Sequence, residues 1–487
     1  MQIKFTIMRK RLLPIPLELI MNRMKFENCW WETGLIDEEY GKLGKRLYFD
    51  LFYKLVQETD IKRAVVLMGP RRVGKTVMMH HAISTLLKEK KIRSNNICFI
   101  NVENPLYLNI SLENLFSMAR KSVGNEDPKG WHVFFDEIQY LKDWEIHLKV
   151  LVDSYPNTKF IASGSAAAAL KIKSNESGAG RFTDFMLPPL TFHEYIHLKG
   201  YNHLIIESFI YWRKRKMPFF STHNIEVLNR HFVDYINFGG YPEVIFSEKM
   251  QSNLSRYIKN DIIDKVLLRD LPSLYGIQNQ QELNKFFTTL VYYTANELSL
   301  DSLASTSGVN KPTLKKYVEY LEAAFLIKQI NKIDESGKRF QRQSAYKIYL
   351  TNPSLRSALF SPLDATDESM GHMVETAIFS QWLHRENRIP CYARWERGEI
   401  DMVGLDLKDN KPIWAVEIKW SNKAYNYIEE IKTLLSFCEK HKLTDTFVTT
   451  LDKSGQREAN NISVNYVPSS VYAFNVGYNT IEYHKQT

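Results

Sequence analysis

Ala64-Val-Val-Leu-Met68 followed by Gly69-Pro-Arg-Arg-Val-Gly74-Lys75-Thr76 is the stretch on which the reading of this chain turns. An apolar run enters a loop bounded by glycines and closed by Lys-Thr. Apolar residues then recur at Met79, Ile83 and Leu86 with helical spacing. Strand, Gly-x-x-x-x-Gly-Lys-Ser/Thr loop and helix, in that order, predict a phosphate-binding loop. The glycines let backbone N–H groups curl around phosphate oxygens, and the helix N-terminus adds the positive end of its dipole. On this reading Gly69, Pro70, Arg71, Arg72, Val73, Gly74, Lys75 and Thr76 cradle ATP. Lys75 reaches the β and γ phosphates and the Thr76 hydroxyl ligates Mg2+. The bland alternative, a glycine-rich turn, does not account for the strand before it and the helix after it.

Working outward, Trp131-His-Val-Phe-Phe-Asp136-Glu137 is an apolar strand ending in two carboxylates. Alone it would be a solvated strand end. Beside a phosphate loop, Asp136 is expected in the Mg2+ shell and Glu137 against the attacking water. A further strand, Lys159–Ala162, ends at Ser163-Gly164-Ser165. Ser165 is the first choice, and Ser163 the second, for a hydroxyl that senses the γ-phosphate; plain turn chemistry is the competing reading. The strands Ala64–Met68, Ile97–Val102, Val133–Phe135 and Lys159–Ala162 alternate with helical stretches, which predicts a parallel α/β sheet. From about Thr191 to Leu350 the chain reads as mainly helical, broken at Gly239-Gly-Tyr-Pro242.

Within that part, Ser302 to Thr306, a turn at Ser307–Asn310 and a helix opening at Lys311-Pro312 have helix-turn-helix logic. Leu314, Tyr317, Val318, Leu321 and Phe325 form its apolar face. Lys311, Lys315 and Lys316 fall on the solvent side, as phosphate contacts to DNA that would be weakly specific and salt-sensitive. Lys338-Arg339 and the strand-like Ala345–Leu350 suggest a wing. The alternative is a winged helix that packs as a lid on the ATPase.

The last third carries a second chemistry. Glu399-Ile-Asp401-Met-Val-Gly404 and Val416-Glu417-Ile-Lys419-Trp420 read as two strands joined by the turn-rich Asp406–Pro412. Period-two alternation puts Glu417 and Lys419 on one face, and an antiparallel hairpin puts Asp401 opposite them. Glu375 lies on the helix upstream. Asp401 and Glu417 offer hard oxygens for Mg2+ or Mn2+, with the Ile418 carbonyl as a further ligand. Lys419 would orient water or offset phosphate charge, and Glu375 would bind a second metal or its water. Charges alternating on strands are usually solvated faces, so this pattern alone is a weak signal.

Composition sets the bounds. The chain has 487 residues, 44% hydrophobic and 24% charged, which excludes global disorder and fits about three domains. Net charge is +9, yet the residues from Gly371 onward hold 14 Lys and Arg against 15 Asp and Glu. The excess matches two segments of +5 each, residues 1–26 and 311–350, and favours an anionic partner. Four scattered cysteines lack metal or CxxC spacing, and no apolar run approaches the ~18 residues that span a bilayer. Glu18 and two prolines argue against a signal peptide at Leu12–Met21, so a cytoplasmic protein without a membrane partner is expected.

Taken together, the chain resembles a family of prokaryotic AAA-type P-loop ATPases, of the archaeal, STAND-related kind. These carry a helical lid, a winged helix and a C-terminal domain like the PD-(D/E)XK nucleases. The resemblance rests on Asn28-Cys-Trp-Trp31, the Gly-Pro-Arg-Arg form of the loop, Asp136-Glu-Ile-Gln with Trp144, Ser163-Gly-Ser165, Gly180-Arg181, Leu187-Pro-Pro-Leu-Thr-Phe-His-Glu194 and Gly239-Gly-Tyr-Pro-Glu243. The residue after Asn28 departs from the family's usual proline, and the residues before Asn28 have no counterpart in the family. The Glu375, Asp401, Glu417 and Lys419 pattern matches the nuclease superfamily. The resemblance implies an α/β fold: residues 1–45 a basic extension and lead-in, 46–190 the P-loop ATPase domain, 191–280 the lid, 281–360 the winged helix-turn-helix, and 366–487 a restriction-endonuclease-like domain. It also implies that Arg181 approaches a nucleotide, in its own subunit or a neighbour's, with a structural arginine as the alternative. The expected function is ATP hydrolysis coupled to Mg2+-dependent DNA cleavage. The competing expectation is an ATP-dependent DNA- or protein-binding switch that does not cut. A homo-oligomer is left open.

Overall fold

The computed structural model describes residues 16–89, 92–164, 180–337, 345–383 and 389–486. The apolar strand that opened the sequence reading is β1 (Ala64–Met68), buried along its whole length. It sits inside a parallel sheet with β2 (Ile97–Asn101), β3 (His132–Asp136), β4 (Lys159–Gly164) and β5 (Phe182–Met186), in the order β2-β3-β4-β1-β5. Because side chains alternate across a strand, Val65 and Leu67 enter the core on one face while Ala64, Val66 and Met68 enter the core on the other. Both faces are covered, which is why the strands read as continuous apolar runs. β5 lay outside the sequence reading. It is short and only partly buried, and its alternating Phe-Thr-Asp-Phe-Met carries little β signal.

The order places β4 between the phosphate-loop strand and the Asp136 strand. β2 is left at an edge, where its unpaired backbone groups need a cover. Asn28 supplies it: its side-chain amide donates to the Phe99 carbonyl at 2.8 Å and accepts from the Phe99 N–H at 2.6 Å. The indole N–H groups of Trp30 and Trp31 both donate to the Ile97 carbonyl, at 3.0 and 2.7 Å. The Asn28-Cys-Trp-Trp31 segment thus acts as a side-chain strand on β2. Replacing Asn28 with Ala strands a buried N–H and C=O, so about 1–3 kcal/mol of stability is expected to be lost, read as a lower urea midpoint.

The stretch expected to be mainly helical holds more helix than strand, but it also contains strands that the sequence reading missed. β6 (Ile205–Trp212) and β7 (Arg215–Thr222) form an antiparallel hairpin. Its turn residues Arg213 and Lys214 both have positive φ, 50° and 59°, the geometry of a two-residue hairpin turn. That turn usually carries Asn or Gly, so the Arg-Lys pair hid it. The hairpin lies on the C-terminal part, where Trp212 stacks on Phe447 and the Phe220 N–H donates to Asn475.

The helix-turn-helix is present as Leu300–Ser307 and Lys311–Ala323, with the Asn310 side chain capping the second helix at Thr313. Behind it β8 (Glu297–Ser299), β9 (Ile327–Ile330) and β11 (Ala345–Leu350) make a three-stranded sheet in the order β8-β11-β9. The short β10 (Lys332–Ile333) leaves that sheet and pairs with β12 (Cys391–Trp395). It therefore begins a seven-stranded sheet, β10-β12-β13-β14-β15-β17-β16, with β13 (Gly398–Leu405), β14 (Pro412–Glu417), β15 (Asp445–Thr450), β16 (Gly455–Ala459) and β17 (Ile462–Pro468). The helix-turn-helix region and the C-terminal part are interleaved through β10. The Lys338-Arg339 portion of the expected wing lies outside the described residues.

Candidate functional site

At the end of β1 the chain must turn sharply under the next strand's extension. A Cβ on Gly69 would stand 2.1 Å from the Leu187 carbonyl oxygen, so only glycine allows this close approach. Gly74 has φ 95°, and the helix Lys75–Glu89 begins directly after it. Lys75 is buried, and its ammonium donates to the carbonyls of Gly69 and Pro70 at 3.1 and 2.8 Å. Burial lowers its pKa, and the nearby charges of Glu137 and Asp136 oppose that.

The two carboxylates of the Asp136-Glu137 pair take different surroundings. Asp136 is buried and accepts the Thr76 hydroxyl at 2.7 Å and the Ser163 hydroxyl on its other oxygen. Burial and then the charge of Glu137 push its carboxyl up to about 6. Glu137 sits in the left-handed region at φ 54°, an uncommon conformation for a side-chain-bearing residue, held by its N–H to Ser163 at 3.1 Å. The Gln139 amide donates to the Glu137 carboxylate. Ser163, the second choice in the sequence, therefore connects both acids. Ser165, the first choice, lies outside the described residues.

Arg71 and Arg72 extend from the loop onto the helical part. Arg71 forms a two-point pair with Asp270 at 2.8 and 3.2 Å and donates to the Tyr140 hydroxyl. Arg72 pairs with Glu243 and with Asp261. One residue that the sequence reading passed over holds the loop from behind. Arg46 is 6% exposed, donates to the Val73 carbonyl at 2.6 Å and to the Pro188 carbonyl at 2.9 Å, and grips both oxygens of Glu194 at 2.7 and 2.8 Å. Nothing local in Gly-Lys-Arg46-Leu marks it, since its partner stands 148 residues away.

Of the readings open for Arg181, its placement fits the structural arginine and not a nucleotide contact within its own subunit. Ala64 and Phe182 are partners in the β1/β5 register, so Arg181 lies at the start of β1 and the phosphate loop at its end. Five strand residues at roughly 3.3 Å each separate them, beyond an arginine's reach. Its guanidinium pairs with Asp153 at the surface. The approach to a nucleotide in its own subunit is thus corrected by the direction of the strand.

A second cluster forms in the C-terminal part. Asp401 on β13 faces Glu417 on β14, as the Met402–Val416 register requires. The Ile418 N–H donates to Asp401 at 2.8 Å, and Lys419 pairs with Glu417 at 2.7 Å. Glu375 reaches the same cluster from the buried helix Met370–Trp382. All four residues named from sequence thus come together. Burial pushes Glu417 up to about 8, aided by the charge of Asp401, and pushes Glu375 up to about 7 against the pull of Lys347. The Oε2 atom of Glu417 is buried with no hydrogen-bond partner among the described residues.

Three further members were not read from sequence. Lys347 and Tyr349, on β11 of the winged-helix sheet, both contact Glu375, and Glu399 on β13 pairs with Lys347. Among the described residues, no group of three or more His, Cys, Asp or Glu is disposed to hold a metal ion.

The expected DNA-facing lysines are partly engaged. Lys311 pairs with Asp301 at 2.7 Å, while Lys315 and Lys316 are exposed. Elsewhere in residues 311–350, Lys328, Lys332 and Lys347 are ion-paired with Glu322, Glu297 and Glu375. Much of that segment's surplus charge is therefore balanced within the fold. No helix among the described residues is long and apolar enough to cross a membrane.

The family described as an AAA domain matches residues 61–196, and one described as a domain of unknown function (DUF8612) matches residues 229–368. An uncharacterized protein of Methanocaldococcus jannaschii is 25% identical over 81% of this chain and 83% of its own length. An uncharacterized protein of Haemophilus influenzae is 23% identical over 85% of this chain and 95% of its own length. Among solved structures, a Walker-type ATPase of Pyrococcus abyssi covers 63% of this chain and 94% of that one, at 16% identity and a TM-score of 0.35. With the loop, the Asp136 strand and the family match on the same residues, the segment 61–196 is an AAA-type P-loop ATPase domain.

Proposed function

We propose that ATP hydrolysis at the Gly69–Thr76 loop gates cleavage of DNA by the C-terminal part. The observation that carries the second half is the meeting of Glu375, Asp401, Glu417 and Lys419 from one helix and the β13/β14 hairpin. At the loop, Thr76 and Asp136, already 2.7 Å apart, are the residues that would hold Mg2+, and Glu137 would accept the proton of the attacking water. In the C-terminal cluster, Asp401 and Glu417 would hold a divalent cation. The orphaned buried oxygen of Glu417 and the hard-oxygen donor set suit one chemically, although the acids are not gathered around a common point among the described residues. Such an ion, when bound, acidifies water and offsets charge on the phosphate. Lys419 would orient that water, Glu375 would accept a hydrogen bond from it, and exposed Lys315 and Lys316, with Lys311, would contact the DNA backbone. Arg181, exposed at the far edge of the sheet, would serve only a nucleotide in a neighbouring copy.

A second reading is an ATP-dependent binding switch whose nuclease-like part does not cut. The presence of Lys347 among the carboxylates favours it. Incubating the full chain with linear, nicked and single-stranded DNA in Mg2+ or Mn2+ separates the two. Cleavage that disappears in Asp401→Asn, and loses its ATP dependence in Lys75→Ala, is the expected result. Cleavage persisting in Asp401→Asn would overturn the site, and a wild-type chain that cuts none of these substrates would favour the switch.

A further inference from the structure

Lys347 is a lysine in an unusual place. It belongs to β11, in the winged-helix sheet, yet its side chain is 3% exposed and ends among acids of the seven-stranded sheet and its helix. Its ammonium stands 2.9 Å from Glu375, 2.6 Å from Glu399 and 3.9 Å from Asp401. Tyr349, two residues on and so on the same face of β11, donates its hydroxyl to Glu375. Burial alone pulls the Lys347 pKa down, but Glu375, Asp401 and Glu399 outweigh it and keep the ammonium charged. Isolated buried lysines are rare because the desolvated charge is so unfavourable; this one is held by the acids it neutralises.

The rest of the cluster is incompletely matched. One oxygen of Asp401 takes the Ile418 N–H and, among the described residues, the other has the long Lys347 contact alone. One oxygen of Glu417 takes Lys419 and the other is buried without a hydrogen-bond partner among the described residues. The cluster therefore has acceptor capacity on the Asp401–Glu417 side, while a fixed positive charge occupies the Glu375–Glu399 side. A divalent cation on Asp401 and Glu417 would lie within a few ångströms of that ammonium. Two like charges that close in a buried setting repel strongly.

We propose that Lys347 is the built-in counter-ion of this cluster, and that a divalent cation enters only as Lys347 withdraws. The same residue positions the acids in the ion-free state and joins the winged helix to the C-terminal part. Because Lys347 belongs to β11, ion entry is linked to how that strand sits against β13 and the helix Met370–Trp382. The inference rests on the metal half of the proposed function and not on DNA cleavage.

The test is Mn2+ binding to the nucleotide-free full-length chain, followed by titration calorimetry. Lys347→Met is expected to bind Mn2+ at least about tenfold more tightly than wild type, and Lys347→Arg, which keeps the charge, to bind as weakly as wild type. Adding Asp401→Asn to Lys347→Met should remove the gain. Glu399→Gln loosens the hold on Lys347 without touching Asp401 or Glu417, and an intermediate gain is expected. It also serves if Lys347→Met does not fold. Thermal melting gives a second readout: Mn2+ should raise the melting temperature of Lys347→Met and Glu399→Gln by more than that of wild type. Equal Mn2+ affinity in wild type, Glu399→Gln and Lys347→Met, lost on Asp401→Asn, overturns the exchange while leaving the metal site standing. No Mn2+ binding in any variant overturns both.

Discussion

Glu137→Gln is expected to bind ATP like the wild-type chain and to hydrolyse it at least about a hundredfold more slowly. Glu137 follows the last residue of β3, and its N–H is tied to Ser163, the hydroxyl that also donates to Asp136. Its left-handed backbone turns the side chain away from the strand direction, and Gln139 holds the carboxylate there. A glutamine keeps that shape and can still exchange a hydrogen bond with Gln139, but it cannot accept a proton from water. The phosphate loop, Lys75 and the Thr76–Asp136 contact are untouched, so nucleotide affinity should hold. Phosphate release and fluorescent-nucleotide binding, measured on the same preparation, check both halves. Undiminished hydrolysis would move the base to another group. Lys75→Ala is the contrasting case, losing binding and turnover together.

Arg46→Ala is expected to destabilise the ATPase domain by about 3–5 kcal/mol, the usual penalty for leaving a buried ionic partner behind. Glu194 is fully buried, and the Arg46 guanidinium meets both of its oxygens. Glu194 also closes a capping box with Thr191 at the start of the helix Phe192–Leu198. Without Arg46 the carboxylate must either stay charged and unpaired or take up a proton. The Val73 and Pro188 carbonyls lose their donor as well. Adding Glu194→Gln removes the stranded charge and keeps the cap, so the double variant should recover part of the urea midpoint. It should not recover ATP turnover, because the loop carbonyl of Val73 is still unsupported. A double variant no more stable than the single one would show that lost packing, and not stranded charge, dominates.

The two outcomes differ in how visible they were beforehand. Glu137 stands next to Asp136 at the end of an apolar strand, and the pair can be named from seven consecutive residues. Arg46 and Glu194 are an ordinary Arg and an ordinary Glu until the chain brings them together. The same contrast runs through the C-terminal cluster. Asp401 opposite Glu417 follows from two strands and a short turn, because the antiparallel register is local. Lys347 and Tyr349 come from a strand in a different sheet, and neither spacing nor alternation points there.

Charge along the chain and charge in the fold are different quantities. The +5 of residues 311–350 suggested a surface awaiting an anion. Folded, Lys347, Lys332 and Lys311 face Glu375, Glu297 and Asp301, each outside that segment, while Lys328 pairs with Glu322 inside it. A segment's net charge counts its own residues, whereas an ion pair forms with whatever packing brings near. The hairpin β6–β7 was hidden for a related reason: its strands are apolar and aromatic enough, but the Arg213-Lys214 turn lacks the residues that usually announce one.

By itself, then, the sequence determined the phosphate loop, the acid pair after β3 and the strand-borne acids of the C-terminal part. In each, the chemistry is built from neighbouring residues whose geometry follows from helix and strand periodicity. Tertiary structure alone decided that Arg46 braces the loop, that Arg71 and Arg72 tie it to the helical part, that Arg181 lies at the wrong end of the sheet for its own nucleotide, and that Lys347 sits in the carboxylate cluster. Those depend on which distant groups are desolvated together, and a buried charge takes its partner from the packing around it, whatever the separation along the chain.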